Sequence, residues 1–586
     1  MFLKKSTTTI RGKTYNNYKI VESYREGGKV KHRILFTLGS LSDEQAERLR
    51  MAIAAYSNPD LVVAKSDDIV VTKHAAYLAV ATLHHLWQEW EFGKFFSDEL
   101  WIEAMVLNRC LEPLPKIQIK EWMATTVLPA YLDINPHQVD EFEVYRSLDH
   151  LSKREAELQS FLYQRLQVKR PSFSDYFFYD LTSTYVEGSR CLIAKLGYSR
   201  DHRPDREQIV VALMITPEGY PFYWRVLEGN TQDITTVAQL IQEVNSQYHL
   251  QHCTLVFDRG MVSAANLMSL EATCWHYVSA LDRDEIVTSG FLEEALPEPA
   301  SPRDWEQIMA LREFIPYDEN QFLFYREFIK EGRRYILAFD VARFLEEYRA
   351  QERRLKAALT WLEQKNKALA QAKKARNQQV LAREVEAMLK RQRVKKFLQV
   401  QMEPHEVKVT NTRGQERPVQ TFQLTYTIKD EERQKEQRLH GLTCFVTNLP
   451  AAGVPAREVI SWYRRKNKIE EAFQEIKSYI ELRPIYLTRS ERVRAHVSIC
   501  MLAYFLYNDI ERRLREKGLS ESPPAVLARL QKCQINRLEF KKQQQSKLSI
   551  TEPSGEQKRY LQVLDCESII DAHQVKRVLK KMENWL

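Results

Sequence analysis

Short apolar runs and amphipathic stretches alternate between residues 174 and 280, in the order strand, strand, strand, helix, strand, helix and strand. That order is typical of a mixed α/β sheet with helices packed against it. The pattern stops near residue 283 and resumes with an apolar strand at 442–447. We therefore predict an α/β core whose sheet is interrupted by a long insertion and then completed.

The other segments follow from shifts of pattern along the 586 residues, a length too great for one hydrophobic core. Two strand patterns flank the turn at Gly27-Gly28 and predict a hairpin. Residues 341–398 are charged and helical, with apolar spacing that suits a helical hairpin, and strand patterns precede and follow them. The predicted domains are a basic β-hairpin region (1–65), a helical domain (66–168), the first part of the core (169–283), a β-rich insertion with long charged helices (284–440), the second part of the core (441–515) and a C-terminal segment (516–586).

Basic residues concentrate at the start of the chain. The net charge is +8, and among the first forty residues nine are Lys or Arg while only two are Glu. Such a segment fits a nucleic-acid partner, and both the hairpin region and the helical domain are candidates for DNA recognition. The charged helices at 341–398 are explained equally well by a solvated face or by a face that meets DNA.

The eight cysteines are scattered and form no Cys-x2-Cys pair, so the sequence indicates neither a zinc site nor a disulfide framework. A reducing cytoplasm is the expected compartment. The start of the chain lacks the apolar stretch of a signal peptide. The longest apolar run, at 499–507, is far shorter than the roughly 20 residues that span a bilayer. We expect no membrane segment.

Two aspartates stand where predicted strands end. Asp180 follows an aromatic strand, and Asp258 follows the apolar run 254–257. Ligands of α/β sheets bind beyond the carboxyl ends of strands, so this is where a functional acid belongs. Taken alone, each aspartate is explained as well by a turn or a helix cap. Asp201 and Asp205 are expected in loops, and Asp233 is expected at a helix N-cap.

A predicted helix that begins at Pro455 and runs to about residue 480 carries a third acid, Glu470. At about 100° per residue, Glu470 shares one stripe of this helix with Tyr463, Lys466 and Lys477. The lysines could simply form surface pairs with the acid. Glu471 is its rival, but it lies about 100° further round the helix. A neighbouring apolar stripe would dock the helix on the sheet and consists of Ile469, Phe473, Ile476 and Ile480.

Three carboxylates on separate elements suit a site with two divalent cations, in which one acid bridges the ions and the others flank them. Oxygen ligands without Cys or His favour Mg²⁺ or Mn²⁺ over Zn²⁺. Such a site supports in-line displacement at a phosphoryl group, and nearby lysines would bind phosphate. The pattern therefore predicts metal-dependent chemistry on nucleic acid.

The stretch from Tyr463 to Lys477 resembles the Tyr-x2-Arg-x3-Glu-x6-Lys signature of DDE transposases of bacterial insertion sequences. Glu470 holds the position of the signature acid. Lys466 stands where that group has Arg, which keeps the charge but loses bidentate phosphate binding, and Arg465 could serve instead. The sequences Tyr-Asp-Leu-Thr-Ser-Thr around Asp180 and Val-Phe-Asp-Arg-Gly around Asp258 resemble the first and second acid motifs of the family.

The resemblance implies an RNase-H-like catalytic domain with two Mg²⁺ ions, or Mn²⁺ in their place. Asp180 would bridge both ions, while Asp258 and Glu470 would each hold one. It further implies cleavage at transposon ends that carry inverted repeats, joining of the 3′ hydroxyl to target DNA, and a homodimer assembled on DNA in the bacterial cytoplasm, at the nucleoid. The residues implied to contact DNA are Tyr463, Arg465, Lys466 and Lys477 at phosphates and Trp305 at a flipped base.

Two other functions stay open at this point. One is a nuclease of the same fold that cuts DNA without joining it. The other is a DNA-binding regulator that descends from a transposase and has lost catalysis, although the three intact acids argue against it. A strand-transfer assay separates the first alternative, because only a transposase yields joined product.

Overall fold

The computed structural model describes residues 1–10, 13–58, 61–140, 142–170, 176–188, 190–248, 253–320, 322–410, 414–542, 544–583 and 585. The part of the chain up to residue 170 consists of strands followed mainly by helices. These elements are β1 (Phe2–Ile10), β2 (Lys13–Glu26), β3 (Lys29–Gly39), α1 (Asp43–Ser57), β4 (Ile69–Ala76), α2 (Leu78–Glu89), α3 (Phe92–Phe95), α4 (Leu100–Leu111), α5 (Ile119–Ala124), α6 (Leu128–Leu132), α7 (Glu143–Lys153) and α8 (Glu155–Lys169).

The middle of the chain mixes strands and helices. Its elements are β5 (Tyr176–Tyr185), β6 (Gln208–Ile215), β7 (Pro221–Glu228), α9 (Thr236–Tyr248), β8 (Cys253–Phe257), α10 (Ala264–Glu271), β9 (Trp275–Ala280), α11 (Arg283–Thr288), α12 (Phe291–Ala295), α13 (Trp305–Leu311), β10 (Ile315–Pro316), β11 (Leu323–Lys330), β12 (Arg333–Asp340), α14 (Val341–Ala370), α15 (Gln378–Arg391), β13 (Leu398–Thr410) and β14 (Glu416–Ile428).

The last part of the chain returns to the core and then ends in a small α/β segment. Its elements are α16 (Asp430–Gln437), β15 (Leu442–Thr447), α17 (Ala456–Arg465), α18 (Asn467–Ser478), α19 (Ser490–Glu516), α20 (Pro523–Leu530), β16 (Gln534–Phe540), β17 (Gln545–Ile550), α21 (Gly555–Val563) and α22 (Ala572–Met582).

The chain divides into two compact units, and each is built from separate stretches of sequence. One contains Met1–Leu86, Ile117–Asp140 and Ala525–Leu586, and the other contains Trp87–Lys116 and Glu141–Pro524. Among the described residues, no helix combines the length and the apolar character needed to span a bilayer.

The first unit opens with an antiparallel meander of β1, β2 and β3. The hairpin of β2 and β3 confirms the predicted turn, whereas β1 was not predicted. Ser42 starts α1 by accepting a hydrogen bond from the backbone N–H of Gln45, whose own side chain bonds back to Ser42. A small core of Leu3, Tyr18 and Ala46 joins this helix to the strands. Elsewhere in the unit, β16 pairs with β4 on one side and with β17 on the other.

A nine-stranded mixed sheet forms the centre of the second unit, in the order β10-β11-β12-β15-β9-β8-β5-β6-β7. Strands β5, β6 and β7 are antiparallel neighbours, and β8 and β9 run parallel to β5. This confirms the predicted mixed α/β sheet. The strands predicted between 305 and 340 also join it, because β12 pairs with β15 and β15 pairs with β9.

The inserted helices form the predicted hairpin, and they pack on the two-stranded sheet of β13 and β14. The hairpin core is made of buried apolar side chains from both helices and from the segment that follows α15. Its members include Leu355, Leu362, Leu381, Val385, Met388, Val394, Phe397 and Leu424. This part of the insertion therefore has a core of its own.

One local prediction is wrong. The helix predicted from Pro455 to about residue 480 is two helices, α17 and α18, which meet at Lys466. The backbone tightens there, because the N–H of Lys466 donates to the carbonyl of Tyr463, three residues back, as in a 3₁₀ turn. The signature residues on either side of this turn remain close to one another. At the turn, the side chain of Lys466 points into the protein interior.

Candidate active site

The pairing register of the sheet sets Asp180 beside Asp258. Strands β5 and β8 run parallel, and Tyr179 lies opposite Phe257. The next residue on each strand is an aspartate, so the two acids stand at the same level of adjacent strands, which are about 4.8 Å apart. Asp180 interrupts an otherwise buried stretch of β5. Asp258 follows the end of β8 as predicted, whereas Asp180 was predicted at a strand end and lies in the middle of β5. The pairing register explains why the two acids meet.

Burial changes the chemistry of Asp180. It raises the pKa of this carboxyl to about 6, and the negative charge of Asp258 adds to the effect. The charge of Lys466 and the backbone N–H of Leu181, which donates to Oδ1 at 2.8 Å, act in the opposite direction. A buried carboxyl with a raised pKa that faces another acid is a common feature of functional sites.

Lys466 contacts both Asp258 and Glu470. Its side chain is 5% exposed, and its Nζ lies 2.9 Å from Oε1 of Glu470 and 3.4 Å from Oδ1 of Asp258. Since both oxygens touch one nitrogen, they can be no further apart than the sum of these two distances. Burial opposes the charge of Lys466, but the three acids together raise its pKa and keep it protonated.

Tyr463 completes the polar wall. Its hydroxyl donates a hydrogen bond to Oδ1 of Asp258 at 3.4 Å, and its ring packs against Phe445. Burial, with the nearby charge of Asp258, raises the pKa of Tyr463 to about 12, so the hydroxyl keeps its proton at neutral pH. Tyr463 therefore acts as a fixed hydrogen-bond donor.

Four of these side chains, Asp258, Glu470, Tyr463 and Lys466, line a cavity of about 270 Å³ that we call the acid cavity, and Asp180 is not among its described lining residues. Its other charged members are arginines, which the sequence analysis did not single out: Arg259, Arg283 and Arg343. Arg283 and Arg343 both bond to Glu347, at 2.8 Å and 3.1 Å. The only feature of the sequence that could have pointed to Arg283 as a residue of this cavity was its position just after strand β9.

Glu471 faces elsewhere. It pairs with Lys468 at 3.7 Å and lines a different cavity, together with residues of α19. Glu470 alone of these two acids bonds to Lys466 and borders the acid cavity. The helical spacing that favoured Glu470 over Glu471 thus agrees with their positions.

Lys477 lies in a buried ion-pair network. Its ammonium donates to the carbonyl oxygen of Ser183 at 2.7 Å and to Oδ1 of Asp201 at 2.9 Å, and Arg483 bonds to the same oxygen at 2.6 Å. Burial lowers the pKa of Lys477, although Asp201 opposes that shift. Lys477 thereby ties α18 to strand β5, and Asp201, expected only as a loop residue, links Lys477 to Arg483.

The other two loop acids differ from each other. Asp205 is exposed, and its hydrogen bonds from Arg203 lower its pKa to about 2. Asp233 was predicted as the N-cap of a helix, and this is wrong. It is the first residue of a 3₁₀ turn at Asp233–Thr235 that precedes α9, and its carboxylate pairs with Arg200 instead of capping.

Arg465 and Trp305 lie apart from the acid cavity. Arg465 is exposed, and its guanidinium donates to the hydroxyl of Tyr176 at 3.4 Å. Trp305 begins α13, is half-buried, and packs against Phe324 and Phe339 with ring centroids 5.9 Å and 6.5 Å away. Neither residue borders the acid cavity.

The acids fit divalent cations by their chemistry. Asp180, Asp258 and Glu470 offer oxygen ligands of the kind that Mg²⁺ and Mn²⁺ prefer. Within the described part of the chain, however, no three Asp, Glu, His or Cys side chains converge as a ready ligand set. The ammonium of Lys466 lies between two of the acids, so it already supplies positive charge there. Its long flexible stem allows it to move aside.

Two family models of known proteins match this chain. The transposase DDE domain matches residues 175–506, and the N-terminal domain of IS1634 family transposases matches residues 3–60. No curated protein gives a significant match.

Two solved structures are distantly similar. One is a piggyBac transposase synaptic complex with hairpin DNA, with 7% identity over 83% of this chain and 76% of that chain and a TM-score of 0.35. The other is a Mos1 transposase paired-end complex with the left transposon end, with 11% identity over 42% of this chain and 69% of that chain and a TM-score of 0.14. Likenesses as distant as these assign no function by themselves. The match to the DDE domain spans more than half of the chain, and the chain therefore belongs to the DDE transposases of bacterial insertion sequences.

Proposed function

We propose that this transposase cuts DNA at transposon ends and joins the freed 3′ hydroxyl to target DNA, with Asp180, Asp258 and Glu470 as ligands of two divalent cations. The observation that carries the proposal is the placement of the acids. Two stand at the same level of adjacent parallel strands, and the third reaches the second through a shared contact with Lys466.

The cations, Mg²⁺ or Mn²⁺, would activate the attacking oxygen and stabilise the leaving oxygen of an in-line displacement. The side chains of the protein would carry out the other tasks. Asp180 must lose its proton to act as a ligand, and Lys466 favours that loss by its charge. The hydroxyl of Tyr463 orients Asp258. Arg259, Arg283 and Arg343 border the cavity, where they would hold the phosphate that reacts.

The RNase-H-like character of the core belongs to the same proposal. Three antiparallel strands followed by two strands parallel to the first support it. We propose a homodimer on DNA, with inverted repeats as the recognised ends, near the nucleoid. The basic N-terminal meander, which falls in the region matched by the transposase N-terminal domain, is the first candidate for reading those ends.

The proposed DNA contacts differ in kind. Tyr463, Arg465 and Lys466 would meet phosphates directly. Lys477 is already bonded to Asp201 and Ser183, so its proposed part is to hold α18 against β5. Trp305 would stack on a flipped base if its ring leaves Phe324 and Phe339.

A strand-transfer assay with end DNA, target DNA and Mg²⁺ tests the proposal. We expect wild-type protein to give joined product and Asp180→Asn to give neither cleaved nor joined product while it still binds end DNA. Glu471→Gln is the matched control, because this acid pairs with Lys468 and lines a different cavity, and it should retain both activities. Cleavage without joining would show a nuclease instead. Full activity of Asp180→Asn would refute the assignment of the site.

A further inference from the structure

A second cavity of the same unit, about 460 Å³ in volume, lies between α11, the end of α15 and α16; we call it the basic groove. Six of the residues lining it are bases and three are acids. The bases are Arg283, Lys390, Arg393, Lys395, Lys396 and Lys435. An excess of positive charge in a concave surface concentrates anions there.

The bases reach solvent because of how the chain leaves α15. Val394 and Phe397 are completely buried in the hairpin core. Arg393, which directly precedes Val394, and Lys396, which lies between Val394 and Phe397, are exposed. Arg393 also takes a left-handed conformation with φ of 54°. The buried anchors therefore direct this run of cations outward into one groove.

The cations of the groove are available to a ligand. Lys395 pairs with Glu386 at 2.9 Å and Lys435 pairs with Glu432 at 2.7 Å, yet both lysines are more than half exposed. Exposed pairs of this kind add little to stability, so a phosphate can replace the carboxylate. Within the described residues, Arg393 and Lys396 have no carboxylate at ion-pair distance.

The basic groove adjoins the acid cavity. Arg283 lines both of them. Its partner Glu347 also bonds to Arg343, which borders the acid cavity. A chain of guanidinium groups thus leads from the carboxylates to the exposed lysines.

The composition of the wall indicates what the groove binds. Its apolar residues are Val287, Leu389 and Leu439, and none of the described residues lining it is aromatic. Surfaces that hold single-stranded nucleic acid add aromatic rings on which bases stack. Lysines and arginines without such rings offer no surface on which unpaired bases could stack, and the groups that a cluster of cations binds in any sequence are the phosphates.

We propose that the basic groove binds the sugar–phosphate backbone of duplex DNA immediately beside the phosphate that reacts in the acid cavity. The inference rests on the proposed function, since it needs DNA in that cavity. It assigns the charged helical hairpin, whose role the sequence left open, to DNA binding through the segment that follows α15.

The salt dependence of DNA binding tests this inference. The variant is Lys390→Gln/Arg393→Gln/Lys396→Gln, and the matched control is Lys356→Gln/Lys367→Gln/Lys373→Gln, which removes the same charge from exposed positions on α14 and just after it. Affinity for end duplex is measured without divalent metal, so that nothing is cut. Each lost phosphate contact lowers the slope of log affinity against log salt by about 0.9.

We expect the slope to fall by about 2.7 in the groove variant and by less than about 1 in the control. Equal slopes for the two variants would overturn the groove while leaving the proposed function intact. A wild-type protein that bound no duplex would instead overturn the proposed function. Tighter binding of single strands than of duplex would refute the choice of ligand.

A cross-linking experiment places the DNA independently. Seven of the eight cysteines are buried and Cys274 is exposed, so Cys274→Ser gives a suitable background. A photoactivatable group on Lys396→Cys should cross-link to end DNA close to the cleavage position, and the same group on Lys367→Cys should not. Equal cross-linking from both positions, or cross-links only far from the cleavage position, would overturn the inference.

Discussion

The acid cavity and the basic groove share Arg283 but are built in opposite ways. At the acid cavity, sheet register sets Asp180 beside Asp258, and the buried Lys466 contacts both Asp258 and Glu470. In the basic groove, mostly exposed cations surround a concave surface. The difference indicates a division of labour, in which the sheet positions reacting groups and the insertion supplies charge for binding.

The largest expected effect is a loss of DNA cleavage without a loss of DNA binding. Asp258→Asn should lower the rate of end cleavage by at least about 10³-fold, because it removes a proposed metal ligand. Affinity for end DNA, measured by fluorescence anisotropy, should change less than about threefold. A comparable loss of binding would contradict the separation of the two cavities.

The next prediction concerns the hairpin core that supports the basic groove. Phe397→Ala leaves a cavity in the hairpin core and should destabilise that part of the insertion by about 3–5 kcal/mol. Hydrogen exchange should speed up in α14 and α15 while the strands β5 and β8 stay protected. Faster exchange throughout the nine-stranded sheet would show that the hairpin core is not separate.

The two cavities should respond differently to pH. Asp180 has a raised pKa of about 6, so it is protonated below that value and ionised above it. Metal-dependent cleavage should therefore rise as pH increases through about 6 and fall about tenfold per pH unit below it. Binding of DNA through lysines and arginines should stay constant between pH 5 and 8, apart from histidine effects elsewhere.

Lys466→Met sharpens the pH comparison. The charge of Lys466 lowers the pKa of Asp180, so its removal should move the midpoint of the pH profile upward. Lys468→Met, on the side of Glu471, is the control and should leave the midpoint in place. An unchanged midpoint in Lys466→Met would show that the lysine does not act on Asp180.

The smallest effect concerns Tyr463. Its bond to Asp258 is long, at 3.4 Å, and a single hydrogen bond to a charged group contributes about 1.5–3 kcal/mol at best. Tyr463→Phe should therefore reduce the cleavage rate by about tenfold and keep the pH midpoint near 6. A loss as large as that of Asp258→Asn would require a direct role in the reaction.

Local patterns predicted what is local. Sequence motifs and helical spacing singled out Asp180, Asp258 and Glu470, because each acid is marked by its own neighbours in sequence, although Asp180 lies within β5 and not at a strand end. Pairing partners were not visible in this way. Strand β4 pairs with β16, more than 450 residues away, and the strands at 323–340 join the core sheet through β15. Periodicity predicts a strand but gives no information on its neighbour.

The roles of charged residues were the hardest to predict. Lys466, Lys477 and Asp201 have polar side chains that a sequence places on the surface by default. Lys466 is nevertheless buried, the side chains of Lys477 and Asp201 are only 11% and 4% exposed, and each lies beside an opposite charge. Their partners come from other elements of the fold. Arg283 likewise gains its place between two cavities only when α11 packs beside α15 and α16.

The central claim is that Asp180, Asp258 and Glu470 together hold two cations. A crystal structure with end DNA and Mn²⁺, with the ions located by anomalous scattering, tests it most directly. We predict two Mn²⁺ peaks about 3.5–4 Å apart, with Asp180 touching both and with Asp258 and Glu470 touching one each. Peaks ligated by other acids, or Lys466 still lying between the carboxylates with DNA bound, would contradict it.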